Sequence, residues 1–159
     1  MPNEQTLTGD FRARNFRDAD LRRAVFRKAD LYRVSFAGAD LRGAIFDDCF
    51  AAEADFTNAK CGGMQAVKSN FFQAKFTGAD LSGSLLRECV LASADLRGAN
   101  LRGITITLNC DSFEGATLDG AASAQLAYLF TRANSPHRER WLDLLNTRDL
   151  RRLERIFAR

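Results

Sequence analysis

An unbroken period of five residues runs through most of this 159-residue chain and excludes most of the folds that it could adopt. From Phe11 to Ile106, every fifth position is apolar, which makes 20 apolar positions in succession. An α-helix has a period of 3.6 residues and a β-strand a period of 2, and neither carries such a pattern over roughly a hundred residues. The chain must therefore turn a corner within each unit of five.

A second column of small residues, mostly alanine, lies two positions before the large apolar residues. Asp or Asn is frequent between the two columns, and the large residue is often followed by Arg and then Gly. Apolar residues two apart share one side of a short extended segment. Gly and Asp or Asn suit corners, because Gly adopts left-handed φ and Asp or Asn bonds to nearby backbone. Repeated corners of one sense generate a solenoid, so we predict an all-β solenoid.

The segments ADLRRAVFRKADLYRVSFAGADLRGAIF and FTGADLSGSLLRECVLASADLRGANLRG resemble the pentapeptide-repeat family, with A-D/N-L/F-x-x repeats from Gly9 to about Leu118. The resemblance implies a right-handed quadrilateral β-helix with four pentapeptides per coil. The small and large residues would point inward and the other three positions would face solvent. Residues 20 apart then stack, and about five coils spaced about 4.8 Å apart make a rod roughly 24 Å long.

Two parts of the repeat are irregular. After Ile106 the register slips by two, and a five-step continues through Leu108, Phe113 and Leu118 as an irregular part-coil. Phe50 and Phe72 occupy outward positions, which indicates either an exposed apolar patch or ordinary surface side chains.

The pattern changes near Ala121, which divides the chain into a lead-in (residues 1–8), a β-helix (residues 9–120) and an α-helical segment (residues 121–159). The first helix of that segment should cap the open end of the solenoid. Two further amphipathic helices are predicted after Ser135-Pro136 and after Thr147. They would form either a self-contained cap or a homodimer interface, and the resemblance implies C-terminal dimerisation in several family members. The candidate interface residues are Trp141, Leu145, Leu153 and Phe157.

Residues that carry catalysis or bind metals are scarce. His137 is the single histidine, and the four cysteines include no CxxC motif. Cys49 and Cys89 fall in the inward column two coils apart, about 10 Å, which is beyond disulfide reach. His137 with Ser135 or a cysteine is a conceivable nucleophilic pair, but a histidine at a helix start is ordinarily exposed. We predict a non-enzyme with no catalytic residues, no cofactor and no metal site.

The formal net charge of +3 is unevenly distributed, with +4 on residues 121–159 and −1 on the first 120 residues. This imbalance is too weak to predict direct nucleic-acid binding. No apolar run approaches the roughly 18 residues that a membrane helix needs. The N-terminus lacks the pattern of a secretory signal, so we expect a cytoplasmic protein. A bacterial origin suits the family resemblance.

Two functions follow as hypotheses. The first is a scaffold that binds a protein partner through its outer faces and C-terminal helices. Its candidate partner residues are Arg22, Arg42 and Arg102, which stack on one side, and the outward Phe72. The alternative for these arginines is that their stems simply cover the β surface.

The second hypothesis follows from the resemblance, because some family members imitate a DNA duplex. They bind DNA gyrase or topoisomerase IV and protect against quinolones. Mimicry of this kind needs a negative rod. Here the rod carries a net charge of −1 and has Arg after the large residue at eight positions, which disfavours gyrase as the partner.

Overall fold

Six short β-strands and one α-helix are present in the computed structural model, which describes residues 6–107 and 115–132, with side chains as far as Leu126. The strands form one parallel sheet in chain order. They are β1 (Thr6–Asp10), β2 (Val25–Asp30), β3 (Ile45–Asp47), β4 (Gln65–Val67), β5 (Leu85–Arg87) and β6 (Thr105–Thr107), followed by α1 (Gly120–Arg132).

The pairing between strands shows that one coil comprises four of the repeat units. Phe26 pairs with Phe46, and Phe46 pairs with Ala66, so each residue meets its counterpart four units further along the chain. Three further sides of each coil show the same spacing through single parallel bridges, which begin at Asn15–Ser35, Asp20–Asp40 and Asp30–Phe50. One pairing position per unit makes a four-sided coil. The predicted fold class, an all-β solenoid of about five coils followed by a helix, is therefore confirmed.

At three of the four corners of each coil, a β-turn follows the large residue. The carbonyl of Phe16, for example, accepts a hydrogen bond from the N–H of Ala19 at 3.1 Å. The second central residue has positive φ, as a type II turn requires. That residue is Gly38 (φ 70°) in one unit and Arg23 (φ 59°) in another, and the fourth corner has positive φ at the same position, as at Lys28 (φ 49°). The left-handed conformation therefore belongs to the position in the repeat, and glycine is only one of its occupants.

The polar residue before the large residue also has a structural role. Its side-chain oxygen accepts a hydrogen bond from the backbone N–H two residues later, as in Asx turns. All ten Asp and Asn residues at this position do so, at distances from 2.8 to 3.3 Å. They are Asp10, Asn15, Asp20, Asp30, Asp40, Asp55, Asn70, Asp80, Asp95 and Asn100.

The bore of the solenoid is filled by the predicted small and large columns. Phe36, Phe56 and Phe76 stack along one side, with successive ring centroids 5.0 and 4.7 Å apart. Rings from neighbouring sides contact this stack edge to face, such as Phe46 against Phe56 at 6.0 Å. The outward positions therefore carry whatever binding function the solenoid has.

The two ends of the solenoid differ from its body. β1 begins at Thr6 and pairs with β2, so strand pairing starts inside the segment that the sequence assigned to the lead-in. At the other end, Arg87 still pairs with Thr107 in the regular register, whereas Asp95 pairs with Thr117, two positions beyond its regular partner. The predicted slip by two is confirmed and falls between Thr107 and Gly115.

Helix α1 covers the C-terminal end with an apolar face and with polar side chains. Ala122 and Leu126 are buried against the last coil. Asp119 caps the helix by accepting hydrogen bonds from the N–H groups of Ala121 and Ala122, and its second oxygen accepts one from Gly98. Gln125 Oε1 accepts a hydrogen bond from the N–H of Leu101 at 2.6 Å. Backbone donors of the last coil are thus satisfied by side chains from the helix and its N-cap.

Candidate binding surfaces

Two sides of the solenoid hold the partner residues that the sequence singled out. We call residues 20–23, 40–43, 60–63, 80–83 and 100–103 the arginine side. We call residues 30–33, 50–53, 70–73 and 90–93 the aromatic side. Because the bridges recur at every repeat unit around a four-sided coil, these two sides lie opposite each other. Phe72 therefore lies on the face opposite Arg22, Arg42 and Arg102, and the four residues do not form one surface.

On the arginine side, Arg22 and Arg42 are each held by the carboxylate of their own repeat unit. Arg22 Nε and Nη2 donate hydrogen bonds to Asp20 at 2.8 and 2.7 Å. Arg42 makes the same two bonds to Asp40, at 2.8 and 2.6 Å. The two-residue spacing places each guanidinium beside an Asx turn, which allows bidentate pairing.

These ion pairs change the protonation of the carboxylates. The guanidinium hydrogen bonds from Arg22 favour the charged form of Asp20 and lower its pKa to about 2. The hydrogen bond from Arg42 likewise holds the pKa of Asp40 below its ordinary value. Both arginines therefore have compensated charges, which reduces their attraction for an acidic partner.

The arginine side also contains an open recess lined by Asp20, Arg22, Arg23, Arg42 and Gly43. Arg102 lies outside this recess, because Gly62 and Ser82 occupy the same column between it and Arg42. Its own unit has Asn100 in place of Asp, and Arg102 forms no ion pair with the residues described. The three arginines share a column but do not form one continuous basic patch.

The aromatic side carries the large apolar side chains that are most exposed among the described residues. Phe50 is 45% exposed, Phe72 39% and Val90 40%. The ring of Tyr32 stacks on Phe50, with centroids 6.0 Å apart. The sequence indicated that Phe50 and Phe72 face outward, and the structure places both on this side together with Tyr32 and Val90; we call these four residues the apolar patch.

A small polar cluster borders this patch at its N-terminal edge. Tyr32 Oη donates a hydrogen bond to Glu53 Oε1 at 3.0 Å, and Arg33 Nε donates one to Glu53 Oε2 at 2.7 Å. The Arg33 guanidinium also lies 4.9 Å from the centre of the Tyr32 ring. The hydrogen bond to Glu53 raises the pKa of Tyr32, so the phenol stays neutral. Glu53 is the one charged residue at positions 50–53, 70–73 and 90–93, and its charge is paired.

Sequence reasoning did not identify Tyr32 and Val90 as part of this surface. The missing signal was available in the outward columns when they are compared from one coil to the next. The position before the large residue holds Phe50 in one coil and Val90 two coils later. The position after the large residue holds Tyr32 in one coil and Phe72 two coils later.

The described cysteines lie in the bore. Cys49, Cys61 and Cys89 are buried and unpaired. Burial raises the pKa of Cys61 to about 12 and that of Cys89 to about 11, because a thiolate is poorly solvated in the core. Within residues 6–107 and the described part of 115–132, no three His, Cys, Asp or Glu side chains form a group that could hold a metal ion.

Several predicted residues lie outside the described part of the chain. They are Ser135, His137 and the candidate dimer residues Trp141, Leu145, Leu153 and Phe157, and the fourth cysteine, Cys110, lies outside it as well. The C-terminal interface therefore stays a prediction, as do the domain boundaries. Among the described residues, no helix is both long and apolar enough to cross a membrane.

A four-sided parallel solenoid with an apolar bore and Asx turns at its corners defines a class of repeat protein whose sides are open to solvent. The model of the pentapeptide repeats family matches this chain in eight copies, over residues 10–43, 35–71 and 69–107. The chain belongs to the pentapeptide repeat family, as its sequence predicted.

Solved structures similar to this chain include other proteins of this class. The pentapeptide repeat protein Rfr23 from the cyanobacterium Cyanothece 51142 is 24% identical, with 72% of this chain and 81% of that chain covered and a TM-score of 0.44. Full-length QnrB1, a plasmid-mediated fluoroquinolone resistance protein, is 18% identical, with coverages of 83% and 96% and a TM-score of 0.40. A pentapeptide repeat protein from the thylakoid lumen of Arabidopsis thaliana is 23% identical, with coverages of 86% and 90% and a TM-score of 0.38. A comparison with curated proteins finds no match.

Proposed function

We propose that the protein is a non-catalytic scaffold that binds a protein through the aromatic side of its solenoid. The observation that carries this proposal is the patch of Phe50, Phe72 and Val90, which is exposed and borders a charge already neutralised by Arg33. The cores of protein interfaces are rich in aromatic residues and poor in charged ones. Covering this patch would remove apolar area from water without leaving a buried charge unpaired.

The state of the carboxylates supports a non-catalytic role. A general acid or base works best when its pKa lies near the operating pH. Hydrogen bonds from neighbouring arginines instead hold the pKa of Asp10, Asp20 and Asp95 at about 2. These side chains also accept backbone hydrogen bonds in Asx turns, so they have a structural task.

A comparison of three proteins tests this function. The full-length protein, a Phe50→Ser/Phe72→Ser variant and a control variant, Ser82→Ala on the arginine side, are immobilised and exposed to a lysate of the source organism. The retained proteins are quantified by mass spectrometry. We expect at least one protein that the wild type and control retain and the aromatic-side variant loses. Retention of the same proteins by all three forms would refute binding through this side.

DNA gyrase remains the alternative partner, and the charge of the described coils weighs against it. Residues 6–107 carry 15 Lys and Arg against 12 Asp and Glu, a net charge of +3. A rod that replaces DNA on a positive surface needs the opposite sign. Inhibition of gyrase supercoiling by the purified protein would support this alternative, and unchanged supercoiling at micromolar protein would exclude it.

A cytoplasmic location also belongs to this proposal. Its support is the set of unpaired cysteines, Cys49, Cys61 and Cys89, since proteins of oxidising compartments more often pair their cysteines. Fractionation of cells that produce the tagged full-length chain tests it, and recovery from a secreted or periplasmic fraction would contradict it.

A further inference from the structure

The column after the large residue alternates between large and small side chains along the aromatic side. It reads Tyr32, Ala52, Phe72 and Ala92, one residue per coil. Ala52 is only 4% exposed, whereas Phe72 is 39% exposed. Large and small side chains therefore alternate from coil to coil, at a spacing of about 4.8 Å per coil.

The corner before the aromatic side alternates in charge along the same four coils. It reads Lys28, Asp48, Lys68 and Glu88, and all four side chains are exposed. Each residue has positive φ, between 49° and 56°, at the same corner position of its repeat unit. None of the four forms an ion pair with another residue that the structure describes. Their charges are therefore available to a partner.

Both columns are self-complementary under one symmetry operation. A two-fold axis that crosses the aromatic side between the coils of Phe50 and Asn70 reverses the order of the coils in a second copy. The charge column then brings Lys28 to Glu88 and Asp48 to Lys68 of the second copy. The charge column and the column of large and small side chains are therefore related by the same two-fold axis, as an isologous interface requires.

The same operation matches the shape of the aromatic side. Phe72 is placed opposite Ala52 of the other copy, and Tyr32 is placed opposite Ala92. Phe50 meets the neutral Asn70, so no charge is placed against the exposed phenyl ring. Each of these large side chains is thus placed opposite a small one, while Val90 is placed opposite Asp30.

We propose that the partner of the aromatic side is a second copy of this chain, bound face to face with its solenoid antiparallel. This inference rests on the proposed function, because it names the protein that the aromatic side binds. The contact spans four coils, or about 19 Å along the rod, which places it among small interfaces that form reversible dimers.

Charge reversal of the corner column tests the proposal in the full-length protein. Lys28→Glu/Lys68→Glu makes the column entirely acidic, and Asp48→Lys/Glu88→Lys makes it entirely basic. A control, Lys60→Glu/Arg102→Glu, changes the net charge as much as the acidic variant but lies on the arginine side. Circular dichroism checks that each variant keeps the β-solenoid fold, and sedimentation equilibrium measures self-association.

We expect the wild type and control to dimerise reversibly and the two corner variants to dimerise about 100-fold more weakly, since four exposed ion pairs become four repulsive contacts. An equimolar mixture of the acidic and basic variants should restore a heterodimer. Phe72→Ser should weaken the wild-type dimer without altering the fold.

Three results would overturn the proposal. They are a monomer at all concentrations, a dimer that the corner variants leave unchanged, and a mixture that does not associate. An unchanged dimer would instead favour the C-terminal interface around Trp141. Phe50- and Phe72-dependent capture of another protein by a monomer would leave the proposed scaffold function intact and replace the second copy as the partner.

Discussion

Replacement of Phe56 by alanine is the sharpest test of how the bore is packed. Phe56 is fully buried in the middle coil and contacts four other rings. Its ring centroid lies 4.7 Å from Phe76, 5.0 Å from Phe36, 5.9 Å from Phe71 and 6.0 Å from Phe46. Truncation therefore removes the centre of a continuous aromatic stack.

The size of the effect follows from this packing. A buried Phe→Ala substitution costs about 3–5 kcal/mol, and the cost rises when the cavity cannot collapse. The cavity cannot easily collapse here, because backbone hydrogen bonds between coils fix their spacing. One of them runs from Phe56 N–H to Lys75 O at 2.7 Å. We expect a loss of about 4–5 kcal/mol for Phe56→Ala. Phe56→Leu retains most of the apolar volume and should cost about 1–2 kcal/mol.

A matched substitution at Phe16 separates packing from residue type. Phe16 occupies the same column two coils earlier, but it is only half-buried and stacks on Phe36 from one side, at 5.6 Å. Phe16→Ala should cost about 1–2 kcal/mol, because part of the ring already contacts water. Urea unfolding of the full-length variants, followed by far-UV circular dichroism, measures both losses.

The result that would refute this reasoning is equal destabilisation by Phe16→Ala and Phe56→Ala. Equality would mean that the central coils relax around a missing ring as easily as the terminal coil does. The bore would then not be a closely packed stack.

Three further predictions concern the corners and the cap. Gly83→Ala should lower the free energy of unfolding by about 1–2 kcal/mol, and Gln73→Gly should raise it by about 1 kcal/mol, since both positions have positive φ. The pKa of Asp95 is about 2 because Arg97 hydrogen-bonds to it, against 3.8 ordinarily. Its stabilisation should be present above about pH 4 and disappear as the pH falls towards 2, a loss that Asp95→Asn removes from the acid titration. Gln125→Ala should cost about 1–3 kcal/mol and speed hydrogen exchange at the Leu101 amide, which loses its acceptor.

Each of these three predictions has a defined contrary outcome. A β-carbon at Gly83 would have no atom within 4 Å, so an unchanged stability there would mean that φ costs nothing at the corner. An acid transition that is identical in the Asp95→Asn variant would show that the ion pair of Asp95 with Arg97 does not contribute to the pH dependence of stability. An unchanged exchange rate in Gln125→Ala would show that Leu101 does not depend on the cap.

The fold was predictable because one local rule repeats. Small and large residues two apart, a corner residue and an Asx acceptor recur in nearly every unit, so a single unit specifies its neighbours. The slip after Ile106 was readable for the same reason, and it reappears as the shifted pairing of Asp95 with Thr117. The positive φ of residues such as Lys28 was harder to predict, because a lysine in a sequence does not indicate that conformation as a glycine does.

The candidate surfaces were only partly predictable. Arg22 and Arg42 stood out as a basic column, yet each follows an Asp by two residues and is neutralised by it. Phe50 and Phe72 stood out as outward rings, and their relation to Tyr32 and Val90 depends on the register between coils. Pairing within a unit can be read along the chain, whereas pairing between coils requires the register of one coil on the next.

By itself, the sequence determined the five-residue corner, the inward columns and the helix that follows the last coil, because each depends on residues that are neighbours along the chain. The tertiary structure alone determines which outward residues share a side and which large and small side chains become neighbours in successive coils. This is because the local constraints on outward positions concern only the turn, through the Asx acceptor and the positive φ, and leave the type of side chain free to vary from unit to unit. The meaning of these positions arises when stacking brings equivalent residues of successive coils to within one β-sheet spacing of each other.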